Sequence, residues 1–246
     1  EQDFTSYLLK KISSKEIAQG DLKLFFDQGQ GSLFWKGKLL AEGNGLFSSF
    51  KIKGVYYDLS TAFWKTEKIS PTELVVTAQW PDLTLLEIWR LKIEEGKLNW
   101  QVDLKSQEEI EIKDFCAGLS LKDKYKEWTN INTHGVMPKL SDGQNYNQLK
   151  PNITFGTIGF KPDPSLKEPL PYLIFDVNEN LLMNKIELQS SRNTYTKITS
   201  SDIYSFKNAL LVKENQSLFQ NQLALFDKEQ DFTSYLLKKI SSKEIA

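Results

Sequence analysis

LLEIWRLKIEEGKLNWQVDL, residues 85–104, is the stretch that decides the fold of this chain. Apolar and polar residues alternate on both sides of Gly96, with Trp89 before the glycine and Trp100 after it. Alternation with a period of two is typical of a β-strand with one buried face, and a turn with glycine between two such runs is typical of a hairpin. We therefore expect a long antiparallel hairpin that closes at Gly96 and Lys97.

The same kind of pattern extends outward from this hairpin in both directions. Between residues 21 and 124, short runs rich in β-branched and aromatic residues are separated by turn signals at intervals of roughly 8–15 residues. Residues 108–113, EEIEIK, alternate charge with isoleucine, as a half-exposed strand does. Residues 129–171 contain six prolines and are expected to be rich in loops, with short strands resuming between 154 and 199. This spacing favours a large antiparallel β-sandwich or barrel over βαβ units.

The composition excludes several classes of function. The 246 residues are 40% hydrophobic and carry a net charge of -1, so neither a nucleic acid nor an anionic membrane is an expected partner. Cys116 and His134 are the only residues of their types, which excludes an internal disulfide and Cys- or His-rich metal sites. No apolar run approaches the roughly 20 residues that span a bilayer. We expect no metal, no cofactor and, because only one cysteine is present, a cytoplasmic location.

An 18-residue segment occurs twice without a single difference. Residues 1–18 and residues 229–246 both read EQDFTSYLLKKISSKEIA. Chance does not produce such a match, and an ancient duplication would have allowed the copies to diverge. Two explanations remain open: the chain is one period of a tandem array of near-identical units, or a terminal segment was duplicated by engineering.

The repeated segment has the pattern of an amphipathic helix. Phe4, Leu8 and Ile12 recur at a spacing of four residues, which places them on one face. We therefore predict short helices at both termini: a terminal helix at 1–18, a β-sandwich domain at 19–215, and a helical C-terminal segment at 216–246. The last of these includes the second copy at 229–246.

Three stretches together resemble a known family. They are residues 58–64 (DLSTAFW), residues 87–100 with tryptophans near both strand ends, and residues 125–128 (YKEW). They are similar to the galactose-mutarotase-like β-supersandwich over roughly residues 20–213. The resemblance implies a large antiparallel sandwich of the kind found in aldose epimerases and in non-catalytic modules beside carbohydrate-active domains. Catalytic members use a histidine acid and a carboxylate base, and His134 is the one residue here that matches the histidine.

A sugar site in this fold calls for exposed aromatic rings and polar side chains near strand ends and loops. The candidate carbohydrate-binding residues lie around the segments 54–66 and 125–150, with one addition beyond them. These candidates are Asp58, Trp64, Trp128, His134 and Arg192.

Three functions remain open from the sequence. The first is a non-catalytic, carbohydrate-associated module of a larger carbohydrate-processing protein. The second is an aldose epimerase or mutarotase that uses His134, which would require a carboxylate in the same pocket. The third is a structural unit of a tandem array or head-to-tail assembly, with self-association through residues 1–18 or 229–246.

Overall fold

Antiparallel strands make up nearly all of this molecule. The computed structural model describes residues 15–27, 29–122, 124–130, 133–137, 139, 146–149, 156–178, 180–181, 185–191, 195–201 and 210–244. These residues form eighteen strands and one helix, α1, at Glu229–Glu244. The strands are β1 Lys15–Gln19, β2 Leu22–Asp27, β3 Gln30–Trp35, β4 Lys38–Leu39, β5 Ala41–Ile52, β6 Val55–Asp58, β7 Phe63–Ser70, β8 Glu73–Gln79, β9 Leu85–Glu94, β10 Lys97–Lys122, β11 Tyr125–Thr129, β12 His134–Val136, β13 Tyr146–Leu149, β14 Thr157–Pro162, β15 Tyr172–Val177, β16 Lys185–Ser191, β17 Tyr195–Ser201 and β18 Leu210–Phe226.

The strands pair into two layers, which we name sheet A and sheet B. Sheet A runs in the order β1, β2, β3, β5, β10, β17, β16, β13, with the short β4 and β6 paired to β3 and β5. Sheet B runs in the order β7, β8, β9, β10, β18, β15, β14, β11, β12. The prediction of a large, mainly β antiparallel sandwich is confirmed.

Strand β10 belongs to both sheets. Its first part, up to Ile112, pairs with β9 and β18 in sheet B. Its last part, from Lys113 onward, pairs with β5 and β17 in sheet A. The pairing with β5 shifts between Lys113 and Cys116, where Asp114 has a φ of 49°. An irregularity of this kind bends a strand, and it lets one chain segment form the centre of both layers.

The core between the sheets contains a nearly continuous series of aromatic rings. Phe26 of sheet A contacts Trp89 of sheet B, and Trp89 lies 4.8 Å from Trp100 between ring centroids. Trp100 in turn packs edge to face on Phe219, also at 4.8 Å. All four side chains are at most 1% exposed, so this ring series is fully removed from water. Edge-to-face aromatic packing adds to the free energy that burial of the rings already supplies.

Helix α1 covers the outer face of sheet B. Phe232 and Leu236 pack on Ile174 and Ala224, and these four buried residues form a cluster separate from the main core. The neighbours of Ile174 and Ala224 along β15 and β18 point the other way, into the main core. Strands β15 and β18 are therefore buried on both faces where the helix lies.

Two local predictions about the termini are wrong. Residues 216–226 belong to strand β18, not to a helix, because pairing with β10 on one side and β15 on the other dominates the local spacing. Residues 15–18 belong to strand β1, where Ile17 is buried and pairs with Leu24 of β2. The helical prediction for residues 1–14 lies outside the described residues. Of the predicted terminal helices, the one at 229–244 is present.

Candidate functional site

A concave feature that a ligand could enter lies beside the bend of β10. It is a cleft of about 900 Å³, which we name the β10 cleft. Three separate stretches of sequence meet there: the hairpin after β5, the turn after β8, and the bulged part of β10. Its lining residues are Lys51, Ile52, Lys53, Gly54, Asp82, Leu83, Thr84, Glu108, Glu109, Ile110, Glu111, Lys113 and Asp114.

Local irregularities of β10 explain why its side chains reach the cleft. The pairing of β10 with β18 breaks between Ser106 and Ile110, so Glu108 and Glu109 lie in a bulge instead of alternating across the sheet. The Ser106 hydroxyl accepts a hydrogen bond from the Glu108 amide at 3.3 Å, which supports the bulge. Bulges commonly redirect side chains towards functional sites. Here the bulge directs two adjacent carboxylates to one region.

The β10 cleft is strongly charged, with acids in the majority. Five of its lining side chains are carboxylates and three are lysines. Lys51 lies 3.8 Å from Asp114 and both are partly exposed, so the pair is accessible to solvent. Glu109 is bound at 2.5 Å by Lys213 from β18. A surplus of hydrogen-bond acceptors suits a ligand that presents hydroxyl groups and disfavours one that carries phosphate.

An exposed aromatic ring lies beside the cleft. Tyr56 is 64% exposed, and the ammonium group of Lys51 lies 4.9 Å from its ring centroid. The neighbouring Tyr57 is buried and donates a hydrogen bond to Asp82 at 2.7 Å. That hydrogen bond raises the pKa of Tyr57, so the phenol stays protonated and holds the turn that carries Asp82. A flat apolar ring next to fixed acceptors is the combination that sugar binding uses.

The sequence-predicted site residues that the structure describes do not all meet in one place. Trp64 lies on β7 and Trp128 on β11, which are at opposite edge regions of sheet B. Both rings are 6% exposed, so neither offers an open face for stacking. Asp58 is partly exposed, but its side chain accepts hydrogen bonds from the amides of Ser60 and Thr61. It therefore stabilises the turn before β7.

The remaining predicted residues lie away from the β10 cleft or outside the described chain. His134 is exposed on the short edge strand β12 and pairs with Thr129 of β11. The described residues that line the β10 cleft do not include it. The next residue, Gly135, lies so close to the Trp128 ring that a Cβ there would collide with it, so β12 covers that tryptophan. Arg192 lies outside the described residues. Sugar contact by these five residues stays a prediction.

Sequence reasoning missed the residues of the β10 cleft. The sequence pattern predicts that Glu108 and Glu109 lie on the solvated face of a strand, and it gives Tyr56 no distinguishing feature. One signal was available: residues 107–109 (QEE) interrupt the alternation of the strand, as a bulge does. The spatial meeting of residues near 52, 83 and 110 has no signature in a single sequence.

A buried carboxylate lies between the sheets, at a distance from solvent. Glu87 is 0% exposed, and one of its oxygens accepts hydrogen bonds from the Ser48 hydroxyl and the Trp89 indole. Its other oxygen has no partner among the described residues. Burial raises the pKa of Glu87 to about 7, although the two hydrogen bonds act in the opposite direction. Glu87 thus joins the two sheets through Ser48 of β5.

Among the described residues, no group of three or more His, Cys, Asp or Glu is placed to hold a metal ion. No helix in the described part of the chain is long and apolar enough to cross a membrane.

Comparison with solved structures places the fold. A candidate aldose 1-epimerase from Klebsiella pneumoniae superposes with a TM-score of 0.60 at 7% identity, over 93% of this chain and 87% of that one. A candidate aldose 1-epimerase from Escherichia coli matches with a TM-score of 0.56 at 9% identity, over 85% of this chain and 97% of that one. The alpha-galactosidase AgaB from Geobacillus stearothermophilus matches with a TM-score of 0.54 at 8% identity, over 88% of this chain and 40% of that one.

These likenesses define a galactose-mutarotase-like β-sandwich, so the predicted resemblance of fold is confirmed. They include chains of nearly the same length as this one and a larger enzyme of which the matching part is less than half. Sequence comparison adds nothing to this: no family model matches the chain, and no curated protein matches it. At such low identities the agreement concerns the fold, and function has to be argued from the site.

Proposed function

We propose that this chain is a non-catalytic, carbohydrate-associated β-sandwich module of a larger carbohydrate-processing protein, and that it binds sugar in the β10 cleft. The observation that carries the proposal is the cleft itself, an open, acceptor-rich space of about 900 Å³ beside an exposed tyrosine. Its volume lies within the usual range for small-molecule sites, roughly 300–1,000 Å³. The fold, which is also found in carbohydrate-active proteins, supports the choice of ligand.

The charge of the cleft narrows the class of sugar. Carboxylate oxygens accept hydrogen bonds from hydroxyl groups but repel phosphate, sulfate and uronate groups. Lys51, Lys53 and Lys113 supply donors for ring and linkage oxygens. The expected ligand is therefore a neutral sugar chain, with one sugar face against Tyr56 and its hydroxyl groups towards Asp82 and Asp114.

Binding is tested with the full chain by isothermal titration calorimetry against matched neutral and acidic oligosaccharides. The variants are Tyr56→Ala, which removes the exposed ring, and Asp114→Asn, which keeps a residue that tolerates the positive φ. We expect binding of a neutral oligosaccharide that either variant weakens by about 10-fold or more. The control is Val136→Ala, a truncation of an exposed side chain on β12, at the far edge of sheet B.

Two results would contradict the proposal. One is neutral oligosaccharides that show no heat of binding at millimolar concentration. The other is binding that Tyr56→Ala and Asp114→Asn leave unchanged while a variant elsewhere removes it.

The epimerase alternative predicts turnover in place of simple binding. It needs a sugar pocket that holds both His134 and a carboxylate, and His134 is not among the described residues that line the β10 cleft. We therefore expect no acceleration of anomer exchange when freshly dissolved galactose or glucose is followed by polarimetry. Acceleration that His134→Asn removes would replace the module proposal with the epimerase.

A further inference from the structure

Helix α1 lies in a groove on the outer face of sheet B, which we name the α1 groove. Its floor is formed by Gly159, Tyr172, Ile174, Ala224 and Phe226. The floor is specific for a particular side chain: the Phe232 ring lies against Gly159 so closely that any Cβ at position 159 would collide with it. The groove is therefore a shaped socket and not only an apolar surface.

Polar contacts fix the direction in which a helix lies in the α1 groove. Glu229, in the first turn of α1, is bound by Lys161 of β14 at 2.5 Å. Lys239, in the last part of the helix, binds Asp176 of β15 at 2.9 Å. Because the two pairs have opposite polarity at opposite ends, a helix inserted the other way round would bring like charges together.

A further hydrogen bond and a stacked cation lie midway along the helix. The hydroxyl of Tyr235 donates to Gln222 of β18 at 2.5 Å. The ammonium group of Lys97 lies 5.2 Å from the Tyr235 ring centroid. The groove thus makes specific contacts with apolar, acidic, basic and hydroxyl side chains at fixed positions along α1.

Residues 1–14 contain every one of these side chains at the same spacing. The matched pairs are Glu1 with Glu229, Phe4 with Phe232, Tyr7 with Tyr235, Leu8 with Leu236 and Lys11 with Lys239. A groove that accepts residues 229–242 therefore accepts residues 1–14 with the same contacts. One chain, however, has one such groove among its described residues, and α1 already fills it.

Near its end, the repeated segment is a helix in its second copy and a strand in its first copy. This difference supports docking of the first copy on a sandwich other than its own. Lys243 and Glu244 are the last residues of α1. In the first copy the same dipeptide, Lys15 and Glu16, begins strand β1, which pairs with β2. The docking part of the segment thus ends where the strand part begins, and no spacer separates the two.

We propose that residues 1–14 dock in the α1 groove of a second copy of this domain, so that the repeated segment joins successive copies head to tail. In this arrangement each segment docks on the copy before it and provides β1 for the copy after it. Helix α1 of this chain then occupies the position that residues 1–14 of the next copy would take. The contact is heterologous, because groove and segment are different surfaces, so it extends into a chain of copies instead of closing as a dimer.

The test frees the groove in the full chain. In the wild type, α1 fills its own groove in cis, where its effective concentration is on the order of millimolar. Phe232→Asp with Leu236→Asp should expel α1 and leave the groove to residues 1–14 of a neighbour. By light scattering at about 100 µM, we expect the wild type to be a monomer and this double variant to show at least twice the monomer mass.

Matched substitutions in the first copy provide the control. Phe4→Asp with Leu8→Asp should leave a monomer with α1 in place. All four substitutions together should abolish the assembly of the double variant. Assembly that persists in the quadruple variant would mean that empty grooves associate with one another, and this would overturn the proposal. A double variant that stays monomeric would also overturn it.

A peptide measurement covers the case in which substitution harms folding. A labelled peptide with the sequence of residues 1–18 is titrated with the quadruple variant. The circular dichroism of the variant reports whether its sandwich is intact. We expect saturable binding that Phe4→Asp in the peptide weakens by about 100-fold, the size typical of losing a central aromatic anchor. Absence of binding by a folded quadruple variant would overturn the proposal. The outcome does not depend on whether the β10 cleft binds sugar.

Discussion

The molecule has two clusters with packed aromatic rings. A substitution in one should destabilise a much larger part of the structure than a substitution in the other. The main core lies between the sheets and draws residues from both of them, with Trp89, Trp100 and Phe219 in contact. The outer cluster has four buried residues, two of which belong to α1 alone. Both clusters contain aromatic rings in contact, so this feature does not separate them. The difference lies in connectivity: the main core joins strands that β10 links, whereas the outer cluster joins one helix to a sheet that is already complete.

The largest effect is expected from truncation in the main core. Trp100→Ala should lower the free energy of unfolding by about 3–5 kcal/mol, since a large buried ring is replaced by a cavity. Because β10 joins both sheets, we expect a single urea transition by fluorescence and by circular dichroism. Trp100→Phe, which keeps a ring and removes the indole N–H that has no partner among the described residues, should cost clearly less. Two separate transitions in either variant would show that the sheets unfold independently.

The buried Glu87 allows the main core to be probed by pH. Its pKa of about 7 in the folded state lies above that of an exposed glutamate, so the folded state binds more protons between roughly pH 4.5 and 7. Stability is therefore expected to fall as pH rises through this window, by about 3 kcal/mol in total. Glu87→Gln should remove that dependence and be the more stable protein at pH 8. Urea titrations from pH 4.5 to 8 measure this, and equal slopes in the two proteins would contradict it.

The outer cluster should respond locally. Phe232→Ala empties the socket at Gly159 and should lower the stability of α1 docking by about 2 kcal/mol, less than the core substitution. In hydrogen exchange, the amides of α1 should exchange faster while those of β10 keep their protection. If the amides of β10 accelerated to the same extent, the two clusters would be one cooperative unit and the comparison would fail.

The smallest effect is expected for the ion pair at the start of α1. Lys161→Met removes the partner of Glu229, and because both side chains are partly exposed the cost should be below about 1 kcal/mol. Lys92→Met, which removes a similar exposed pair with Glu94 on sheet B away from the helix, is the matched control. Thermal unfolding at low and high salt compares them. A large loss for Lys161→Met alone would mean that the ion pair contributes more to helix docking than its exposure suggests.

The central hairpin could be predicted from the sequence because its pattern is local. Strand β9 ends at Glu94 and β10 begins at Lys97, as the turn at Gly96 indicated. Along β9 and the first six residues of β10, one face is buried and the other is partly or fully exposed, so the alternation of residue types is preserved. Strand β18 lacks this signal because its C-terminal part is covered on both faces. There Leu218, Phe219, Leu223 and Phe226 happen to have a helical spacing, and tertiary pairing overrides it.

The site was harder to predict than the fold for a related reason. Sequence position identified Trp64 and Trp128 as segment-end tryptophans, but only the packing of Phe26 on one and of β12 on the other decides that both are covered. The β10 cleft depends on three segments that are up to about 60 residues apart. The repeated segment makes the same point, since Lys–Glu is strand in β1 and helix in α1. Such outcomes are decided by neighbours in space.

Because both sheets share β10, its partner strands are synthesised at widely different times. Its partners β5 and β9 precede it in the chain, whereas β17 and β18 leave the ribosome much later. At typical elongation rates, roughly 5–20 residues per second, the 87 residues between Lys122 and Leu210 take several seconds to appear. Until they appear, the parts of β10 that later pair with β17 and β18 lack these partners. The charged side chains along β10, such as Lys105 and Glu111, are then the nascent chain's protection against pairing with a neighbouring polypeptide on the same message.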